Sequence, residues 1–94
     1  MRIRWLPLAL ANLDDEAAYI AEDNPVAAAD VVSRLQLAVE RLAYFPLLGR
    51  VGRISGTREL IVPGTPYIVA YRVRDEAVEI LRVLHTARKW PTRL

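Results

Sequence analysis

Apolar side chains recur along this chain in two rhythms, and the change of rhythm divides it. Leu6, Leu10, Leu13, Ala17 and Ile20 follow at spacings of 4, 3, 4 and 3, which is one face of an α-helix. Val32, Leu35, Val39, Leu42 and Phe45 repeat the pattern at 3, 4, 3 and 3. Beyond Thr57 the β-branched and aromatic residues gather into short runs that suit a pleated, half-buried surface. Three strands are predicted there, over Arg58–Val62, Tyr67–Val73 and Val78–Thr86, and a short opening strand over Ile3–Leu6.

The residues between these runs set their ends. Pro7 suits the first turn of a helix, and Asn24-Pro25 places an N-cap beside a proline whose φ is already helical. The second helix is predicted from Pro25 to about Tyr44, where Pro46 and Gly49 close it. Ala27, Ala28, Ala29 and Ala38 are small enough for two antiparallel helices to approach closely. Pro63-Gly64-Thr65-Pro66 cannot continue a strand, because two of its four residues lack a backbone N–H. Arg74-Asp75-Glu76 is a short polar break that closes a second hairpin. Val51 to Gly56 reads as a loop that leaves Arg50 and Arg53 as mobile cations. The order is β-α-α-β-β-β, an α+β fold in which a helical hairpin packs on one face of a small, mainly antiparallel sheet. Residues 1–94 are expected to form a single domain.

Composition narrows the class. Fifty-three per cent of residues are hydrophobic and 26% charged, so the chain can bury a core and is not disordered. There are no cysteines, which removes disulfides and thiolate metal sites and fits a reducing cytoplasm. The opening Met1 to Ala11 carries an apolar run, but Pro7 interrupts it and Asp14-Asp15-Glu16 continues the helical pattern, so it is not read as a signal peptide. The acidic side chains Asp14, Asp15, Glu16 and Glu22 are expected on a solvated helix face. No stretch is long enough to span a bilayer.

The net charge of +2 conceals an asymmetry. Residues 1–45 carry four arginines against seven carboxylates, whereas residues 46–94 carry nine basic side chains against four carboxylates. Twelve of the thirteen basic residues are arginine, whose planar fork suits phosphate and carboxylate and stays charged when covered. The second half therefore calls for an acidic partner.

Chemistry is sparse. There is no nucleophile-elbow context around Ser33 or Ser55, no HExxH, and no phosphate-binding glycine motif. No cofactor and no metal site is expected. His85 is the only histidine, and its ordinary pKa suits it to general acid or base work. The residues themselves favour a structural histidine that caps the last strand or hydrogen-bonds a neighbour. Arg58 shares a strand face with Leu60 and Val62, so it is expected either paired beneath cover or at the rim of a site. Tyr67, Val69, Tyr71 and Val73 share a face by period two. Trp90-Pro91 is expected over the sheet edge or against a partner.

In order and spacing, these residues resemble the RelE/ParE superfamily of toxins from type II toxin–antitoxin modules, and within it the ParE branch. Trp5-Leu6-Pro7-x-Ala9, Asn12-Leu13, Tyr19-Ile20 and Asn24-Pro25 with Ala28-Ala29 are similar to its helical-hairpin pattern. Phe45-Pro46-x-x-Gly49-Arg50 resembles its helix exit. Thr57-Arg58-Glu59-Leu60, Val62-Pro63, Tyr67-Ile68-Val69-x-Tyr71-Arg72-Val73 and Glu79-Ile80-x-x-Val83-x-His85-x-x-Arg88 resemble its meander. The resemblance implies a toxin neutralised by a cognate antitoxin, a small DNA-binding protein whose C-terminal segment wraps it. The ParE branch inhibits DNA gyrase without a nuclease centre. The RelE branch cleaves mRNA in the ribosome and would use Arg58, His85 and Arg88 as catalytic candidates. Ile68 stands where mRNA-cleaving relatives often place an arginine, and Lys89 is the only lysine, which favours gyrase as target over the ribosome. A third possibility is a non-toxic binding module of the same fold. On the gyrase reading, Arg58, Arg82, His85, Arg88, Lys89, Trp90 and Arg93 are the expected target contacts. Arg50, Arg53, Arg72 and Arg74 are the expected antitoxin contacts.

Overall fold

A computed structural model describes residues 1–94. Strand β1 (Arg2–Trp5) leads into helix α1 (Pro7–Asp23), which is followed by α2 (Pro25–Glu40). Four further strands come after: β2 (Arg50–Val51), β3 (Arg58–Ile61), β4 (Tyr67–Arg74) and β5 (Ala77–His85). They form one mixed sheet in the order β1-β5-β4-β3-β2. β1 lies parallel to β5, and every other pairing is antiparallel. The architecture is the expected helical hairpin on a small, mainly antiparallel sheet.

The helix starts follow the local chemistry. Pro7 and Pro25 both occupy the first turn. The Asn24 side chain accepts a hydrogen bond from the Ala27 N–H at 3.0 Å, which satisfies one of the free donors at the start of α2. Helix α2 ends earlier than predicted: at Arg41–Ala43 the chain tightens into a 3-10 turn. That turn has about 3.0 residues per turn instead of 3.6, so the stripe rotates and Phe45 swings into solvent. Leu35, Val39 and Leu42 of the same stripe stay fully buried.

The core lies between the hairpin and one sheet face. Ala9, Leu13, Leu35, Val39 and Leu42 meet Leu60, Val62, Tyr67, Val69, Tyr71, Val78, Ile80 and Val83. On α1 the buried row is Ala9, Leu13 and Glu16, and the predicted Leu10 is exposed. β5 carries a bulge. Ala70 pairs with Arg82 and Tyr71 with Ile80, so Leu81 is the extra residue. A bulge changes which side chains face the helices, and here Ile80 and Val83 both belong to the core. It also brings His85 opposite Tyr67.

Two turns depart from the simplest reading. Arg74 pairs with Ala77, so the β4–β5 hairpin closes through Asp75 and Glu76 alone. Both have positive φ, 53° and 59°. This is the geometry of a primed two-residue turn, made here without glycine. Val51, predicted to open a loop, instead pairs with Arg58, and with Arg50 opposite Glu59 it forms β2. No helix is long and apolar enough to cross a membrane.

Candidate functional site

The polar organisation rests on three buried glutamates, each met by arginine. Glu16 on α1 is 6% exposed, Glu59 on β3 is 3% exposed, and Glu79 on β5 is 5% exposed. Glu59 takes Arg50 and Arg53 at 3.0 and 3.1 Å, and also accepts from the Arg53 backbone N–H at 2.9 Å. Burial alone pushes the Glu59 carboxyl up. The Arg53 backbone N–H and the Arg53 and Arg50 side chains outweigh it and hold the carboxyl below its ordinary value. Glu79 takes Arg72 at 2.7 Å and Arg4 at 3.1 Å. The Arg72 hydrogen bond, against a smaller cost of burial, lowers its carboxyl as well. Glu16 receives Arg88 and, at 3.4 Å, the hydroxyl of Tyr67. Burial, together with the Glu16 carboxylate, raises the Tyr67 phenol above its usual range.

This pattern corrects two expectations. Glu16 is not on a solvated face, and Arg50 and Arg53 are not mobile loop cations. Arg50 is in the sheet and both arginines are anchored on Glu59. A charge buried at that depth is tolerable only when paired and hydrogen-bonded. Among the remaining expected antitoxin contacts, Arg72 is paired with Glu79, and Arg74 lies 3.8 Å from Asp75.

The C-terminal candidates converge. A cleft of about 460 Å³ between α1, the end of β5 and the tail is lined by Asn12, Asp15, Glu16, Arg82, His85, Arg88, Lys89 and Trp90, among others. β1 stops pairing with β5 at Ile80, which leaves the next stretch of that β5 edge open. The Asn12 side chain fills it, accepting from the Val83 N–H at 3.2 Å and from Arg82 at 2.8 Å. His85 Nδ1 accepts the Ala87 N–H at 3.1 Å, and its ring meets Tyr67 edge-on, with centroids 5.4 Å apart. Arg93 carries no carboxylate partner and lies outside the cleft lining.

Arg58 stands apart. Its guanidinium donates to the carbonyls of Gly49 at 2.8 Å and Leu47 at 3.4 Å. Arg58 pairs with Tyr71, whereas His85 pairs with Tyr67, four residues along β4 and on its other side. At about 3.3 Å per residue and about 4.8 Å per strand, their backbones are roughly 16 Å apart. The structure therefore does not unite Arg58, His85 and Arg88 in one centre. Ile68 is buried in β4.

The sequence reading missed Glu16, Glu59, Glu79 and Asn12. A signal existed for Glu16: Leu13, Glu16 and Ile20 are spaced 3 and 4, on the apolar stripe. The other pairings depend on strand register, which no local pattern displays. No group of three or more histidine and carboxylate side chains is placed to hold a metal ion.

Comparison with known proteins gives a consistent family. The sequence profile described as "ParE toxin of type II toxin-antitoxin system, parDE" matches residues 3–90. Y4kP of Sinorhizobium fredii, a proposed toxin by its name, is 51% identical over 90 residues, covering 96% of this chain and 93% of its own. A protein of Caulobacter vibrioides named Toxin RelE2 is 36% identical over 87 residues, covering 93% and 97%. A solved structure described as "Chromosomal ParDE TA system from P. aeruginosa" superposes with a TM-score of 0.80 at 26% identity, over 90% of this chain and 95% of that one.

Proposed function

The chain belongs to the ParE toxin family of type II toxin–antitoxin systems, and on that premise we propose that it inhibits DNA gyrase and is neutralised by a cognate antitoxin. The observation that carries the choice of target is the separation of Arg58 from His85. Cleavage of RNA needs a base for the 2′-hydroxyl, an acid for the leaving oxygen and cations on the phosphate, all within about 3 Å of the reacting atoms. Here the two best candidates lie two strands and four residues apart, Arg88 is bound to Glu16, and Nδ1 of His85 is occupied by the Ala87 N–H. A protein-binding role makes no such demand. A cleft lined by Arg82, Arg88, Lys89 and Trp90 offers the residue types of an interface anchor. Membership of a toxin–antitoxin family supports the antitoxin partner, and so does the structural likeness to a chain of a ParDE system.

The RelE-type reading keeps one observation, the 36% identity to a protein of that name. Expression without an antitoxin separates the two. Stalled replication with DNA-damage induction and intact mRNA is the expected result, with His85→Ala retaining most of the toxicity. Charge reversal is best placed at Lys89 and Arg93, because reversing Arg88 would set a carboxylate against Glu16 and confound binding with folding. The double variant Lys89→Glu, Arg93→Glu is expected to lose toxicity while keeping its melting temperature. Codon-phased mRNA cleavage abolished by His85→Ala would overturn the gyrase reading. Undisturbed growth on expression of the folded protein would favour a non-toxic binding module.

A further inference from the structure

The helices cover one face of the sheet, yet the other face is also buried. Ile68 and Ala70 of β4 point away from the core row of Tyr67, Val69 and Tyr71, and they are 4% and 0% exposed. On the same face, Leu84 of β5 pairs with Ile68, and Glu59 of β3 pairs with Ala70. The segment after His85 accounts for the cover. Leu84 lines the cleft together with Trp90 and Pro91. The Trp90 ring lies 3.7 Å beneath the Arg53 guanidinium, which is itself bonded to Glu59. A line from Leu84 to Glu59 crosses β4 at Ile68 and Ala70, so the tail runs over them.

Two anchors hold this segment. At one side of the sheet Arg88 is bound to Glu16 of α1, and at the other Trp90 is clasped by Arg53. In both cases the arginine reports to a glutamate buried in the body of the protein. One group is left unsatisfied: Trp90 Nε1 is buried without a hydrogen-bond partner. A buried indole N–H with no acceptor penalises the closed position and gains a partner once the tail lifts.

We infer that residues 87–94 form a latched strap, closed over the Ile68–Ala70–Leu84 face by the Arg53–Trp90 and Arg88–Glu16 contacts, and that it opens as a unit while the rest of the fold stays intact. Opening uncovers an apolar patch on the sheet and releases Arg88 and Trp90 from their partners, on a segment that also carries Lys89 and Arg93. That those four then reach the target rests on the functional reading above. The latch itself is a property of the isolated protein.

The test uses the full chain with Trp5→Phe, which leaves Trp90 as the only tryptophan. Acrylamide quenching of Trp90 and far-UV circular dichroism are followed together in rising urea. The expected result is a Trp90 transition complete before the circular dichroism transition begins, because a locally held segment opens ahead of the core. Coincident transitions in this protein would refute the latch without any change at its anchors. In the same background Arg53→Ala removes the cation over the ring, and the open population should rise roughly two- to fivefold, read as increased quenching at unchanged ellipticity. Arg53→Lys should restore part of the effect. Quenching in Arg53→Ala equal to that of the parent would also overturn the proposal. Because these measurements involve no gyrase, their failure leaves the target assignment standing, and the reverse also holds.

Discussion

Replacing Gly49 with alanine should damage the fold more than replacing Gly56, although both glycines flank the same excursion of chain between α2 and β3. A Cβ on Gly49 would lie 2.7 Å from Cε1 of Tyr71, 2.8 Å from its hydroxyl and 3.0 Å from the Glu59 carbonyl oxygen. Tyr71 is fully buried and cannot retreat. Its hydroxyl accepts from the Gly49 N–H and donates to the Pro46 carbonyl, both at 2.8 Å. The substitution thus overpacks a rigid site at about 1–3 kcal/mol and disturbs a buried hydrogen bond worth about 1 kcal/mol. The sum is about 2–4 kcal/mol, and a domain of this size loses about 4–8 °C of Tm per kcal/mol. Gly56 has nothing within 4 Å of its would-be Cβ and only a positive φ of 79° to constrain it, so alanine there should cost about 1–2 kcal/mol. Urea and thermal unfolding of both variants test the ordering. Equal loss in the two, or a Gly49→Ala protein as stable as the parent, would refute this account of the packing. Tyr71→Phe in the Gly49→Ala background should recover little, because Cε1 remains in the way.

Glu76→Gly should stabilise the protein by about 1–2 kcal/mol, relieving a left-handed residue in the β4–β5 turn; a lowered urea midpoint would contradict this. Glu59 and Glu79 have depressed carboxyl pKa values, so they bind protons more readily unfolded than folded. Their contribution is present above the ordinary carboxylate pKa of about 4.3 and is lost as pH falls through the lower folded value. Urea midpoints should therefore drop steeply below about pH 4, and Glu59→Gln should be less stable at pH 7 but flatten that drop; parallel curves would count against the pairing. Leu35→Asp places an unpaired charge at a fully buried helix position and should cost more than about 4 kcal/mol. An unchanged melt would mean that α2 presents another face to the sheet.

How much of this was legible in the sequence depends on how local each signal is. Helix and strand periods are local, and the hairpin and meander follow from them. Strand β2 has two residues, too few for an alternation to show. The burial of Phe45 failed because one tightened turn at Arg41–Ala43 shifts everything after it, while the residue spacing looks uninterrupted. Glu16 was misplaced because its charge and its acidic neighbours argued for solvent, and its partner Arg88 lies 72 residues away. The bulge at Leu81 is similarly silent in sequence, yet it helps to bring His85 and Tyr67 together. Among the site candidates, Arg82, His85, Arg88, Lys89 and Trp90 line one cleft because they are neighbours along the chain. Arg58 was joined to them through the family resemblance, and register places it elsewhere.

The same pairings change what the charge asymmetry can do. Glu59 faces both Arg50 and Arg53, and Glu79 faces both Arg72 and Arg4, so each carboxylate cancels one of its two arginines and each cluster keeps one positive charge. Arg58 and Arg82 spend their hydrogen bonds on neutral oxygens, and Lys89 and Arg93 have no carboxylate partner. These four, with the one charge left over in the Glu59 cluster, carry most of the uncompensated positive charge of the second half. Long-range steering of an acidic partner, such as the proposed antitoxin segment, scales with uncompensated charge and fades as salt shortens the Debye length to about 8 Å at 0.15 M. Lys89→Gln and Arg93→Gln should therefore lower the association rate and flatten its dependence on salt. Neutralising Arg50 removes the same unit of charge and also loosens the Glu59 cluster, so it should raise the dissociation rate as well. If Lys89→Gln and Arg93→Gln leave the association rate and its salt slope unchanged, these charges do not steer the encounter.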